Sequence, residues 1–217
     1  MEEMDDRPKI SRTLSYDRPE SSVIFRLAWY VVAGKPGVIL SEYSEAESQI
    51  FKGKAIFSEK SDDSDINIRV WVEEAQRSVE FTLWAEDESA LEMMADGMAD
   101  LFEDVVEKYN GLSEDDQGKL KRALTAKMCW DRLIFEILNK APLGSVYFQV
   151  AHGREMLIKA TEGEEVQTTS LTTSAWLSKI EEYPDEEPLP GDIAMELAKK
   201  SVEWKKATHS VIQEYLK

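Results

Sequence analysis

Four side chains in the string DDSDINIRVWVEE carry the ligand types of a calcium loop. Asp63, Asp65, Asn67 and Glu74 stand at the first, third, fifth and twelfth positions of an EF-hand. The sixth position of such a loop takes glycine for its sharp turn, and here it is Ile68, whose branched side chain resists that backbone. The same residues alternate as a strand, with Ile66, Ile68, Val70 and Val72 on one face and Asn67, Arg69, Trp71 and Glu73 on the other. A second alternating string, SVEFTLW, follows. Folding about Ala75 and Gln76 sets Glu74 opposite Arg77, Val72 opposite Val79, Val70 opposite Phe81 and Ile68 opposite Leu83. A slip of one residue would destroy this agreement, so the stretch reads as a hairpin and not as a calcium site.

Nucleophilic catalysis needs an activated Cys or Ser beside a base, most often His. Cys129 is the single cysteine, and His152 and His209 are the two histidines. Cys129 lies mid-helix in KMCWDRL, where a buried small apolar role accounts for it. His152 with Gly153 reads as a two-residue turn, and His209 sits among lysines on a solvated helix face. No His or Cys pair has the helical spacing of zinc ligands. AGKPG lacks the spacing and the Ser or Thr of a phosphate loop and reads as a turn. Carboxylates are so numerous that a two-acid hydrolase or magnesium site is allowed by count, yet no pair stands apart. No catalytic, cofactor-binding or metal-ligating residue is therefore assigned.

The strongest remaining signal is charge. The 217 residues carry a net −17, and residues 86–116 hold 12 acidic side chains against 1 basic one. Within that segment Leu91, Met94, Met98, Leu101, Val105 and Tyr109 recur at helical steps, and Glu92, Asp96, Asp100, Glu103 and Glu107 form a second stripe on the opposite face. Direct attraction to nucleic acid or anionic lipid is disfavoured, because phosphate contacts need concentrated positive charge. A basic protein surface would instead be steered toward such a stripe. The alternative is a solvated face, or pairing with Lys119, Arg122, Lys127 or Arg132 of the following helix. Successive carboxylates on the stripe rise by roughly 6 Å, against one DNA charge per roughly 1.7 Å. Imitating DNA would need a second cluster, for which Glu164, Glu181, Glu182, Asp185 and Glu186 are the comparable supply. Trp71 and Trp84 face away from the apolar stripe of the hairpin and are expected to be covered by other elements or by a partner.

These residues are positioned by elements of both kinds. Residues 1–20 have the mixed charge and low apolar content of a mobile arm. SVIFRLAWYVVA is expected as a central strand, followed by a turn into VILS. SEAESQIFKG reads as a short helix with a capping box from Ser44 to Glu47 and a terminal Gly53. KAIFSE and the hairpin continue the sheet. The acidic helix ends at Asn110 and Gly111, and a second helix capped by Ser113 runs to Ala141 and Pro142, the two forming a central helical hairpin. SVYFQVA, REMLIKA and EEVQTTSL are expected as strands, TSAWLSKIEEY as a short helix, 184–191 as an acidic linker, and an amphipathic helix capped by Asp192 closes the chain. The expected class is α+β: a mainly antiparallel sheet of hairpins packed against the helical hairpin and the C-terminal helix, in a single domain over 21–217 with a subdivision near 142.

A chain of 24.8 kDa can build a core without covalent staples. Its lone cysteine, an N-terminus without a signal-peptide pattern and the lack of a long apolar run point to a cytoplasmic protein that does not engage a membrane. The function expected is that of a non-catalytic acidic protein binding a basic protein partner, such as the nucleic-acid-binding surface of an enzyme or toxin. Inhibitor, immunity, anti-defence and chaperone-like roles all fit. The alternatives are an enzyme with a carboxylate-based, divalent-metal-dependent site and a subunit of a larger assembly.

Overall fold

The computed structural model describes residues 7–34, 37–46, 51–60, 65–86, 91–162 and 167–217. The fold is α+β, and the chain divides into two compact units, residues 1–110 and 111–217. Strands β1 (Lys9–Ser15), β2 (Val38–Ala46), β3 (Lys52–Lys60), β4 (Asp65–Glu73) and β5 (Ser78–Trp84) belong to the first unit, with helices α1 (Ser21–Ala33) and α2 (Leu91–Gly111). The second unit is helical, with α3 (Glu114–Leu138), α4 (Leu143–Thr161), α5 (Gln167–Ile180) and α6 (Gly191–Tyr215). No helix among the described residues is long and apolar enough to cross a membrane.

The sheet is antiparallel throughout, in the order β1-β5-β4-β3-β2. The β4–β5 hairpin has the expected register, pairing Val72 with Val79, Val70 with Phe81 and Ile68 with Leu83. A single 3-10 turn (Glu74–Gln76) joins the two strands, closed by the Arg77 N–H donating to the Glu74 carbonyl over 3.0 Å. All six of those apolar side chains are buried.

Three expectations for this unit are corrected. The segment expected as a mobile arm supplies β1, which pairs with β5 from Lys9 opposite Trp84 to Ser15 opposite Ser78, a partner strand some seventy residues away that the local composition does not name. SVIFRLAWYVVA is helix α1 rather than a strand, buried at eleven of its thirteen positions. An apolar run carries no period that separates the two states, but twelve residues exceed an ordinary strand, and a helix apolar all round is one that the core encloses. The helix expected at 44–53 is replaced by strand at both ends, Ser44 in β2 and Gly53 in β3, and its Glu47 lies outside the described residues. Cross-strand pairs hold that hairpin and its neighbour, Lys54 with Glu42 at 2.9 Å and Lys52 with Glu73 at 2.8 Å. Gly53 lies against α1, where a Cβ would stand 2.8 Å from the Phe25 ring.

In the second unit α3 starts as its sequence indicates, the Asp116 N–H donating to Ser113 Oγ over 3.2 Å. Within this unit its neighbours are α4 and α6, and the helical hairpin here is α3–α4, while α2, expected as its partner, belongs to the sheet unit. Amphipathicity says that a face must be buried but does not name its partner. The strands expected from SVYFQVA and REMLIKA form the single helix α4, and the EEVQTTSL strand is replaced by α5, which begins at Gln167. Glu164, Glu165 and Val166 of that string lie outside the described residues. In α4 the buried residues Val146, Gln149, Val150, Gly153, Leu157 and Ala160 recur at helical steps, a pattern that outweighs the strand preference of Val, Tyr and Phe. The expected acidic linker is tied down, with the N–H groups of Leu143 and Gly144 donating to the carbonyls of Glu187 and Asp185 and with Leu189 buried. α6 begins one residue before its expected cap, with Asp192 in its first turn.

Gly153, expected as half of a turn, is a point of close approach of α4 to α3. A Cβ there would stand 2.6 Å from the Trp130 ring and 3.0 Å from the Cβ of Cys129. Gly153→Ala is expected to destabilise the protein by about 1–3 kcal/mol despite the better helix propensity of alanine, because overpacking forces the ring to move. Urea unfolding checks this, and a stability equal to or above the parent would show that the contact yields freely.

Candidate partner-binding surface

α2 lies on the same side of the sheet as α1. Its Phe102 ring meets Phe81 of β5 at 5.5 Å, and α1 places Trp29 edge-on to Phe57 of β3 at 5.1 Å. Leu91, Ala95, Met98, Phe102, Val105 and Tyr109 are buried, whereas Leu101, expected on the apolar stripe, is exposed. The opposite half of the helix displays Glu92, Asp96, Asp100, Glu103 and Glu107, all exposed. Arg12 reaches the first turns from β1, its Nε 2.6 Å from Asp96 and its guanidinium 3.9 Å from Glu92. Asp100, Glu103 and Glu107 meet no cation among the described residues, and Asp104 pairs within the helix with Lys108 at 2.9 Å.

Two of the bases expected as alternative partners for this stripe are engaged inside the second unit. Lys119 binds Asp115 and Glu162, each at 2.8 Å, and Lys127 binds Asp131 at 3.3 Å. Sequence reasoning misses Arg12, since it lies in the segment that reads as an arm. The signal available is the alternation of Ile10, Arg12 and Leu14, which the register sets opposite Leu83, Phe81 and Val79.

Gly97 stands in the middle of the exposed half. Glycine inside a helix costs roughly 0.5–1 kcal/mol relative to alanine. Among the described residues a Cβ at this position would meet nothing within 4 Å, so packing among them does not require the glycine.

Trp71 and Trp84 lie elsewhere. By register Trp71 shares a row with Lys54 and Glu80, and Trp84 one with Asn67 and Lys9, on the sheet face away from Ile68, Val70 and Phe81. Both tryptophans are half-buried. Polar contacts share this face with them, Arg69 donating to Glu80 at 2.7 Å and Ser58 to Asn67 at 2.7 Å. Because α2 covers the other face, the acidic stripe and the tryptophans occupy opposite sides of the first unit, and a flat interface cannot include both.

The calcium-loop residues are dispersed by the sheet. Asn67 accepts from Ser58, Glu74 accepts the Phe51 N–H at 2.7 Å, Asp65 is part of β4, and Asp63 lies outside the described residues. Among the described residues no group of three or more His, Cys, Asp or Glu side chains is arranged to hold a metal ion.

Cys129 is buried in α3. His152 is not in a turn but in α4, stacked on Phe148 at 5.4 Å, one residue and therefore about 100° round the helix from the Gly153 that faces Cys129. His209 is half-buried rather than solvated, and burial, with Lys127 and Lys205 adding to it, lowers its pKa below the ordinary imidazole value.

These two lysines belong to a charge cluster that sequence reasoning misses. Asp131, 4% exposed, lies 2.5 Å from Lys205 of α6 and 3.3 Å from Lys127, itself 1% exposed. Burial drives Lys127 down to about 8, against the pull of Asp131 and helped by Lys205. The Lys127/Asp131 spacing is visible as i to i+4, but that spacing usually marks a surface pair. Trp130 Nε1–H donates to Thr208 at 2.9 Å beside this cluster, and the Trp130 and Trp204 rings pack 5.3 Å apart. Comparisons with protein-family models, with curated proteins and with solved structures find no match for this chain.

Proposed function

We propose that this chain is a non-catalytic acidic protein that engages a basic protein partner through the exposed half of α2. The reading is supported by one observation above all: five carboxylates are displayed along a single helix, and among the described residues one cation, Arg12, offsets them. Such a surface attracts a basic protein at long range and repels nucleic acid and anionic lipid. The partner class this favours is a protein's nucleic-acid-binding surface, in an inhibitory, immunity, anti-defence or chaperone-like relation.

Affinity capture from the native source at moderate salt, followed by association kinetics of the retained protein, tests the proposal. Asp100→Lys with Glu107→Lys is expected to slow association by about tenfold at low ionic strength and by much less at high salt, because screening acts over roughly 10 Å at 0.1 M. Association untouched at low salt would reduce the stripe to a solvated face.

A second reading, a subunit of a larger assembly, is favoured by the sheet face bearing Trp71 and Trp84, on which neither helix of the first unit lies. Protection of both tryptophans from quencher on binding, with the α2 reversals inert, would select it.

A further inference from the structure

We infer that the exposed half of α2 seats a basic amphipathic helix of the partner protein, laid across Gly97. This rests on the acidic-face function proposed above and adds the form of the occupant. Met93 and Leu101 stand one turn before and one turn after Gly97, and they are 76% and 43% exposed. The three residues make one row of neighbours along the helix surface, with two large apolar side chains at its ends and none in its middle.

The fold does not account for that gap. A Cβ at Gly153 would strike Trp130 and one at Gly53 would strike Phe25, whereas a Cβ at Gly97 meets open space, and its backbone is ordinary helix. The glycine weakens the helix that carries it without serving a contact among the described residues. What it does provide is a dip in which another backbone can approach closely.

Charge selects what lies in the dip. Beside the apolar row, Asp96, Asp100 and Glu107 occupy one flank, together with Asp104, which is already paired with Lys108, while the other flank is the buried side of the helix carrying Met98 and Phe102. A helix crossing here rests apolar side chains on Met93 and Leu101 and extends Lys or Arg over the acidic flank, the arrangement of an amphipathic helix on a complementary surface. A second copy of this chain would bring like charge against like at a net −17 each. An extended basic tail would need neither the apolar row nor the gap.

The test uses the full chain and two fluorescein-labelled peptides of equal charge. One is a helical Lys/Leu peptide of about 18 residues with amphipathic spacing, and the other is oligolysine. Anisotropy titration at low salt is expected to give at least about tenfold tighter binding of the amphipathic peptide. Gly97→Gln should weaken that binding by about tenfold while leaving the melting temperature unchanged or raised by about 2–4 °C. Met93→Ser with Leu101→Ser should weaken it similarly and leave oligolysine binding unaltered.

If both peptides bind alike, Gly97→Gln is inert, and Asp100→Lys with Glu107→Lys weakens both, the seated helix is overturned and the acidic-face function stands. Binding of neither peptide overturns both. A loss of stability in Gly97→Gln would show that the glycine serves the fold, and self-association abolished by Leu101→Ser would make a second copy the occupant; either result overturns the inference.

Discussion

Asp131→Ala is expected to destabilise the second unit by roughly 3–5 kcal/mol, the cost of removing one partner from a buried charge group. Asp131 is the carboxylate shared by Lys127 and Lys205, at 3.3 Å and 2.5 Å, and it is buried with Lys127 between α3 and α6. Without it Lys127 faces a second ammonium in a site that water does not reach, and nearby His209 is held neutral by the same surroundings. Lys205→Met should cost much less, because it leaves one lysine with one carboxylate. Urea unfolding at pH 7 measures both, and a loss below about 1 kcal/mol in Asp131→Ala would mean that the lysines relax into solvent.

The same cluster predicts an unusual alkaline dependence. Lys127 ionises at about 8 in the fold against 10.5 for the free side chain. Between those values the unfolded chain holds a proton that the folded chain has released, so the Lys127 contribution to stability rises with pH across that window. Below pH 8 both states are protonated and the full penalty is present; above 10.5 it is absent. The penalty is on the order of 3 kcal/mol. Lys127→Met, which keeps the alkyl packing and removes the charge, is expected to be more stable than the parent by about that amount at pH 7. The difference should close as the pH passes 10. The half-buried Tyr215 phenol, raised above its ordinary value by burial, acts in the opposite sense above pH 10, so the comparison of the two proteins is the cleaner measure. A parent and variant that differ equally at pH 7 and pH 10.5 would show that Lys127 stays charged throughout.

Elements specified by a few neighbouring residues are legible in the sequence alone. The β4–β5 register follows from matching apolar positions across a short turn. The course of α2 and the Ser113 start of α3 follow from period and capping chemistry. The acidic stripe is legible for the same reason, since helical spacing alone places Glu92, Asp96, Asp100, Glu103 and Glu107 on one side.

Local patterning therefore specifies an acidic amphipathic helix, a central hairpin and helical ends. Packing between elements settles helix against strand for residues 21–33 and 143–161, where apolar density is high enough to satisfy either state and only the packing partner separates them. It also turns Gly153 from an expected turn into a helix contact and leaves Gly97 with no contact to serve among the described residues. It places Arg12 on the acidic stripe, puts the tryptophans on the opposite side of the sheet, and buries Asp131 between two lysines. Each of these depends on residues far apart in sequence, and burial and close approach are properties of pairs of elements, which a pattern within one element does not contain.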